Sequence, residues 1–394
     1  MKRFERIIIL VFDSMGIGSA PDAERFGDAG ANTVGHIVRE CGPLRIPNLF
    51  RMGFSKIADV GAYDGEVCGV FGRMRERSAG KDTTSGHWEM LGAPVETPFP
   101  VFPDGFPKDM LDTFTEATGY GYLGNEAASG TEIIDCLGAE HMRTGKPIVY
   151  TSADSVLQIA AHESVIPIEE LYRICRVARE SVCTGAYDVG RVIARPFVGE
   201  QGHFMRTAHR HDFSRLPDKT LYSEMLQAAG IPVIGIGKIG DIYAHKGLDA
   251  SYPTVSDAHG MAMTAKVLGD ASFATGLLLV NLVEFDSLYG HRRDVAGYGR
   301  HIEDADVQLG GLLEILEEGD LLVVTADHGN DPTWRGSDHT RELVPVLAYC
   351  KGIDTAIDIG LRETFADLGQ TVLDNFGLRG TYGESFLSSF ASIR

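Results

Sequence analysis

Two Asp-His pairs stand eleven residues apart in the stretch TADHGNDPTWRGSDHTRE (325–342): Asp327-His328 and Asp338-His339. The first comes at the end of an apolar run, DLLVVTA (320–326). Aspartate and histidine are costly to bury without a partner, so a strand that ends on them points to a ligand. A metal ion is the ligand that both side chains bind well. Two further apolar runs also end in acids. IIILVFD closes on Asp13, and LLLVNLVEFD closes on Asp286, with His291 five residues on. With His339 the candidates are Asp13, Asp286, His291, Asp327, His328 and His339. In open parallel sheets, binding sites lie beyond the carboxyl ends of the strands, which would bring the three acids to one rim. Three aspartates and three histidines suit two divalent ions, and the nitrogen donors favour Zn²⁺ or Mn²⁺ over Ca²⁺. Singly, each Asp also reads as a helix N-cap and each His as a surface or packed residue. Capping does not explain their recurrence at one sheet edge.

Paired metals commonly serve phosphoryl transfer, where the ions clamp the attacking and leaving oxygens. A nucleophile is then needed beside them. SAGKDTTSGHWEM (78–90) offers the hydroxyls of Thr83, Thr84 and Ser85 at the start of a helix-like stretch, where backbone amides favour an anion. Each of the three also reads as a cap, and spacing alone does not choose among them.

The elements that must position these groups show as short apolar runs at 6–12, 147–152, 231–237, 275–285, 320–326 and 344–350. Continuous rather than alternating hydrophobicity predicts a mostly parallel sheet covered by helices. Helix-like segments lie between the runs. Residues 304–318 set Val307, Leu313 and Leu316 near one face. Residues 364–377 open on a capping-box-like TFAD and stop at Gly377. This alternation predicts an α/β, doubly wound, mostly parallel core. The middle of the chain differs. Residues 94–110 hold five prolines, and 196–220 are irregular, so 100–218 read as a smaller α/β domain inserted into a core made of 1–99 and 219–394.

At 394 residues the chain exceeds the usual single core. A net charge of −19 argues against a nucleic-acid or membrane-surface partner. The six cysteines form no C-x-x-C pair, which predicts a reducing, cytoplasmic location. The N-terminal apolar run is too short for a signal peptide and carries no cleavage site, and no run is long enough to span a bilayer. GIGKIG (235–240) matches a dinucleotide-binding pattern, but the following DIYAHKG has no apolar helical face, so the strand–turn–helix context fails.

The stretches VFDSMGIGSAPDA, GKDTTSGHWEMLG, YTSADSVLQIAAHE, GRVIARPFVGE, FDSLYGHRRD and TADHGNDPTWRGSDHTRE run in order along nearly the whole chain. In them the chain resembles the phosphopentomutases of the alkaline phosphatase superfamily. The Asp-His-Gly and Asp-His-Thr pieces are superfamily-wide; KDTTSGHWE and RVIARPFVGE are more specific. The resemblance implies a core of alkaline-phosphatase type with an inserted cap. One Mn²⁺ would lie on Asp13, Asp327 and His328, and a second on Asp286, His291 and His339, with other divalent ions able to replace them. It selects Thr83 as the phosphate acceptor. It implies exchange between ribose 1-phosphate and ribose 5-phosphate, or their 2-deoxy forms, through a 1,5-bisphosphate, with glucose 1,6-bisphosphate as the activator that first phosphorylates Thr83. Ser152, Asp154, Arg191, Ile193 and Arg206 in the insertion, and Lys238 in the core, would bind the sugar phosphate. The inserted block would act as a lid that keeps the intermediate from water. A phosphatase or a metal-dependent phosphoglycerate mutase would share the metal set.

Overall fold

The computed structural model describes residues 3–152 and 154–391. In chain order its strands are β1 (Arg6–Phe12), β2 (Gly69–Met74), β3 (Leu123–Ala127), β4 (Ile148–Thr151), β5 (Val156–His162), β6 (Arg191–Val198), β7 (Met205–Arg206), β8 (His211–Ser214), β9 (Val233–Ile236), β10 (Ala250–Tyr252), β11 (Gly276–Leu282), β12 (Asp320–Thr325), β13 (Val344–Tyr349) and β14 (Ala356–Arg362). The chain divides into two compact units, 1–97 with 217–394, and 98–216. The fold is mixed α/β, and its larger sheet is mostly parallel.

In the first unit eight strands run in the order β10-β9-β11-β1-β12-β13-β2-β14. The strands β10 to β12 are mutually parallel; β13 is antiparallel to both its neighbours. β1, β11 and β12 are buried along their whole length, which is why their sequences are mostly apolar. Arg6 and Asp320 begin β1 and β12 in register. Their side chains make two hydrogen bonds of 2.7 Å, Nε to Oδ1 and Nη2 to Oδ2. A buried pair with this fork geometry fixes which residue starts each strand, and so where each strand ends.

Two readings of the helices are corrected. The helix Val295–Ile315 begins earlier than expected and buries Ile302, Ala305, Leu309, Leu312 and Leu313. Val307 lies off that stripe and is 71% exposed. The helix Ala366–Asn375 has no capping box, because Asp367 binds the Arg362 guanidinium and accepts from the Glu384 amide instead.

In the second unit the order is β3-β4-β5-β6-β7, with β8 also on β6. Alternate residues serve opposite faces. Val149, Leu157, Ile159, Val192 and Ala194 pack with Met110, Phe114, Leu171 and Ile174. Ile148, Tyr150, Ala160 and Phe197 pack with Ile133 and Ile134 of the helix Gly130–Thr144.

Candidate active site

β11, β1 and β12 are adjacent and parallel, so Asp286, Asp13 and Asp327 follow neighbouring strands at their carboxyl ends. Asp13 is followed by Ser14 in the left-handed region, φ 67°. That sharp turn aims the Ser14 amide at Asp327 Oδ1, 3.0 Å away. Asp286 lies in one wide helical turn, Phe285–Gly290. π-type turns of this kind often carry functional groups.

The six candidate ligands fall into two groups whose donor atoms lie within 4.8 Å of one another, Asp13 with Asp327 and His328, and Asp286 with His291 and His339. The rings of His328 and His339 are 4.1 Å apart, centroid to centroid, so the groups are neighbours. In the first group His328 Nδ1 donates to the Gly329 carbonyl at 3.1 Å. That leaves Nε2 as a lone pair, 3.4 Å from both Asp13 Oδ1 and Asp327 Oδ2. Both of those oxygens are buried and accept no hydrogen bond. In the second, His291 Nδ1 donates to the Ser337 carbonyl at 2.8 Å. Its Nε2 faces Asp286 Oδ2 at 3.0 Å and His339 Nε2 at 3.2 Å.

Acceptors pointed at acceptors in a buried place require positive charge between them. Burial, with Asp327 and Asp286 nearby, pushes the Asp13 carboxyl well above the usual carboxylate range. Burial would also raise Asp286, but His339 and His291 hold it well below that range. Imidazoles whose other nitrogen is tied to a carbonyl are oriented as metal ligands commonly are. The donor sets therefore fit divalent cations of the Zn²⁺ or Mn²⁺ kind. A third cluster, Asp257, Glu284 and His301, is different. Asp257 accepts from the Glu284 amide and His301, and Glu284 accepts from the Asp257 amide, so its oxygens have internal partners.

Thr83 opens the helix Thr83–Met90. Its hydroxyl lies 3.2 Å from His328 Nε2 and, with the His328 proton on Nδ1, donates to it. The neighbouring hydroxyl of Ser85 is engaged by Asp82 at 2.7 Å. Asp82 is the N-cap and takes the amides of Thr84 and Ser85. Those amides serve the cap, not an anion.

Three supporting residues escaped the motif search. His87, one turn after Thr83, donates from Nδ1 to the Thr83 carbonyl at 2.8 Å and lies 3.1 Å from Asp327 Oδ2. Its i, i+4 spacing from Thr83 was the available signal. Asn281 donates to Asp13 Oδ2 at 2.8 Å. Asn330 donates to Asp286 Oδ1 at 2.7 Å and is itself held by Arg293 at 2.6 Å. Both asparagines lie inside quoted stretches, but nothing in their spacing marked them.

The remaining candidates lie as follows. Lys238 is in the first unit, and its charge acts on Asp13. The other five belong to the second unit. Arg191 lies 3.4 Å from Asp154 and from Asp212, Ile193 is buried in β6, and Arg206 is exposed on β7. Ser152 follows β4, ahead of Asp154 and β5. After β9, the GIGKIG stretch makes a single helical turn, Ile239–Ile242.

A sheet with two acid- and imidazole-lined pits at one rim, and a hydroxyl against one of them, defines a metal-dependent enzyme. The model of the metalloenzyme superfamily matches residues 5–380, and the chain belongs to that superfamily. Among solved structures, the chain is similar to the PH0037 protein from Pyrococcus horikoshii, with 13% identity over 97% of this chain and 100% of that one, at a TM-score of 0.50. It is also similar to phosphoglycerate mutase from Leishmania mexicana, with 11% identity over 98% of each chain and a TM-score of 0.49. At such identities the first likeness speaks to the fold. No described helix is long and apolar enough to cross a membrane.

Proposed function

We propose that the protein is a phosphopentomutase. It would interconvert α-D-ribose 1-phosphate and D-ribose 5-phosphate, and the 2-deoxy pair, by way of a phosphothreonine at Thr83. The observation that carries this reading is the Thr83 hydroxyl, 3.2 Å from His328 Nε2 beside two groups of candidate ligands. Asp13, Asp327 and His328 would hold one divalent ion, and Asp286, His291 and His339 the other, with Mn²⁺ the cation of the resembling family. Such ions, when bound, neutralise the charge of a transferring phosphoryl group and lower the pKa of a hydroxyl.

The chain's own groups set the rest. His87 holds the Thr83 carbonyl and so fixes the first helical turn. The phosphoryl group passes from Thr83 Oγ1 to the free sugar oxygen, which loses its proton while Thr83 Oγ1 gains one. The 1,5-bisphosphate then presents its other end. Thr83 Oγ1 takes that phosphoryl group and loses its proton to the sugar oxygen released, so the cycle balances. Splitting one transfer into two steps is the gain of covalent catalysis. Ser152, Asp154, Arg191, Ile193, Arg206 and Lys238 would recognise the sugar phosphate, Arg through its planar fork. The inserted unit would keep water from the bisphosphate, and glucose 1,6-bisphosphate would prime Thr83. All six cysteines are free, which agrees with a reducing, cytoplasmic setting.

The test is a coupled assay for ribose 5-phosphate formed from ribose 1-phosphate, run beside an assay for free phosphate and one for phosphoglycerate isomers. Pentose isomerisation with little free phosphate is expected. Free phosphate alone, or phosphoglycerate turnover alone, would overturn the reading.

A further inference from the structure

The chain that leads to Thr83 has no strand to hold it. β2 ends at Met74, the helix bearing Thr83 follows, and residues 75–82 between them are irregular. Their backbone groups are met largely by two buried side chains of opposite charge. Glu89, on the Thr83 helix itself, accepts from the Arg77 amide at 2.9 Å and the Ser78 amide at 2.6 Å. Arg341 takes the carbonyls. Its Nη2 donates to Glu76 at 2.6 Å, and its Nη1 to Ser78 at 2.9 Å and Gly80 at 2.7 Å. The same guanidinium forks onto Asp22, Nε to Oδ1 at 3.2 Å and Nη2 to Oδ2 at 2.9 Å, and meets Glu76 Oε2 at 2.6 Å. A planar set of N–H donors suits this ring of acceptors; an ammonium, with its donors at one point, reaches only part of it.

Arg341 stands two residues after His339. Its own amide donates to Asp28 Oδ2 at 2.9 Å, and that oxygen also takes Lys81 Nζ at 2.9 Å. Lys81 Nζ lies 3.1 Å from Asp338 Oδ2 as well. The loop with His339 and the lead-in to Thr83 are thus joined by two cations, which differ in weight. The Asp338 side chain is 60% exposed, so its ion pair with Lys81 is weak. The side chains of Arg341 and Glu76 are each 2% exposed. Breaking a buried pair leaves a bare charge in the interior, so this joint keeps its geometry.

We propose that Arg341 is a positioning residue that makes the placement of Thr83 depend on the loop carrying His339, so that filling the second pit sets the nucleophile. Arg341 acts through the backbone of 76–80 and not on the substrate. By linkage the dependence runs both ways, and a displaced 76–80 segment weakens the cation at His339. That Thr83 takes a phosphoryl group rests on the function proposed above; the coupling of the two loops does not.

The test uses the full protein and three variants, Arg341→Lys, Asp22→Asn and Arg6→Lys. D22N disturbs only the fork that aims the guanidinium. R6K alters another buried fork, at the opposite end of β1 from Asp13, and so controls for lost stability alone. Intact mass follows the phosphorylation of Thr83 by glucose 1,6-bisphosphate in Mn²⁺-loaded protein, beside KM for ribose 1-phosphate. Hydrogen exchange follows the amides of 77–86 with and without Mn²⁺. A nucleophile displaced by about 1 Å is expected to cost R341K about 10²-fold in phosphorylation rate. KM should stay nearly unchanged, and D22N should show a smaller loss of the same kind. Mn²⁺ should protect 77–86 in the unaltered protein and in R6K, and much less in R341K. If R341K takes phosphate on Thr83 as fast as the unaltered protein, or slows no more than R6K, the proposal is wrong. Should R341K not fold, a D22N that matches R6K in both readouts overturns it equally. If the unaltered protein accepts no phosphate, yet Mn²⁺ protects 77–86 through Arg341, the coupling stands and the mutase reading fails.

Discussion

Nε2 of His291 stands 3.2 Å from Nε2 of His339, with Asp286 Oδ2 3.0 Å from the first of them. Only protons or a cation can occupy such a meeting of acceptors. Metal binding near neutral pH should therefore displace protons from these groups. Chelator-treated protein is expected to melt at a lower temperature and to regain its Tm with Mn²⁺. At a free metal concentration 100 times Kd the gain is about 2.7 kcal/mol for one site. Calorimetric titration in buffers of different ionisation enthalpy should show proton release. Identical melting curves with and without metal would count against the two pits.

Thr83→Ala should keep its fold and its metal, because the hydroxyl makes one bond at 3.2 Å. Mutase turnover should fall by more than about 10³-fold, as for loss of a nucleophile. Intact mass before and after exposure to glucose 1,6-bisphosphate should show one phosphate on the unaltered protein and none on the variant. A variant that still gains the phosphate would move the acceptor to Thr84 or Ser85.

Gly86 faces the backbone of Asp327. A Cβ there would lie 2.1 Å from the Asp327 carbonyl oxygen, so the helix bearing Thr83 cannot keep its distance from the metal pit with any side chain at 86. Gly86→Ala is expected to cost about 1–3 kcal/mol by overpacking and to lower turnover together with metal affinity. Urea unfolding and metal analysis of the same preparation check this. Wild-type stability and metal content would show that the contact is looser than described.

Arg293 adopts φ 57° and donates to Asn330 Oδ1 and to the carbonyls of Gly290, Asp331, Gly336 and Asp338. It thus holds the loop that carries His339 and the asparagine that orients Asp286. Arg293→Ala should weaken the second cation about 10–100-fold, as expected for an outer partner of a metal ligand, and leave the first nearly untouched. Metal titration read by content per chain distinguishes one lost equivalent from two.

The core strands were legible where they are buried on both faces. β1 coincides with the run 6–12, because nothing polar interrupts it. β2 and β14 were not, since GVFGRM and AIDIGLR carry glycine and charge and sit at the sheet's far edge. Among the ligand candidates the three aspartates were visible because each closes an apolar run, and the histidines because they stand near those acids or in the second Asp-His pair. His87, Asn281 and Arg293 were not, because their roles depend on contacts between distant segments rather than on local pattern.

The parallel trio β11, β1 and β12 draws its members from both ends of the chain, and Asp13 needs Asp327 and His328 for company. A nascent polypeptide lacking its last third has an aspartate at position 13 and nothing to chelate with. Metal capture is therefore a closing event of maturation, and a ribosome stalled before residue 339 would hold a product unable to complete either cation nest.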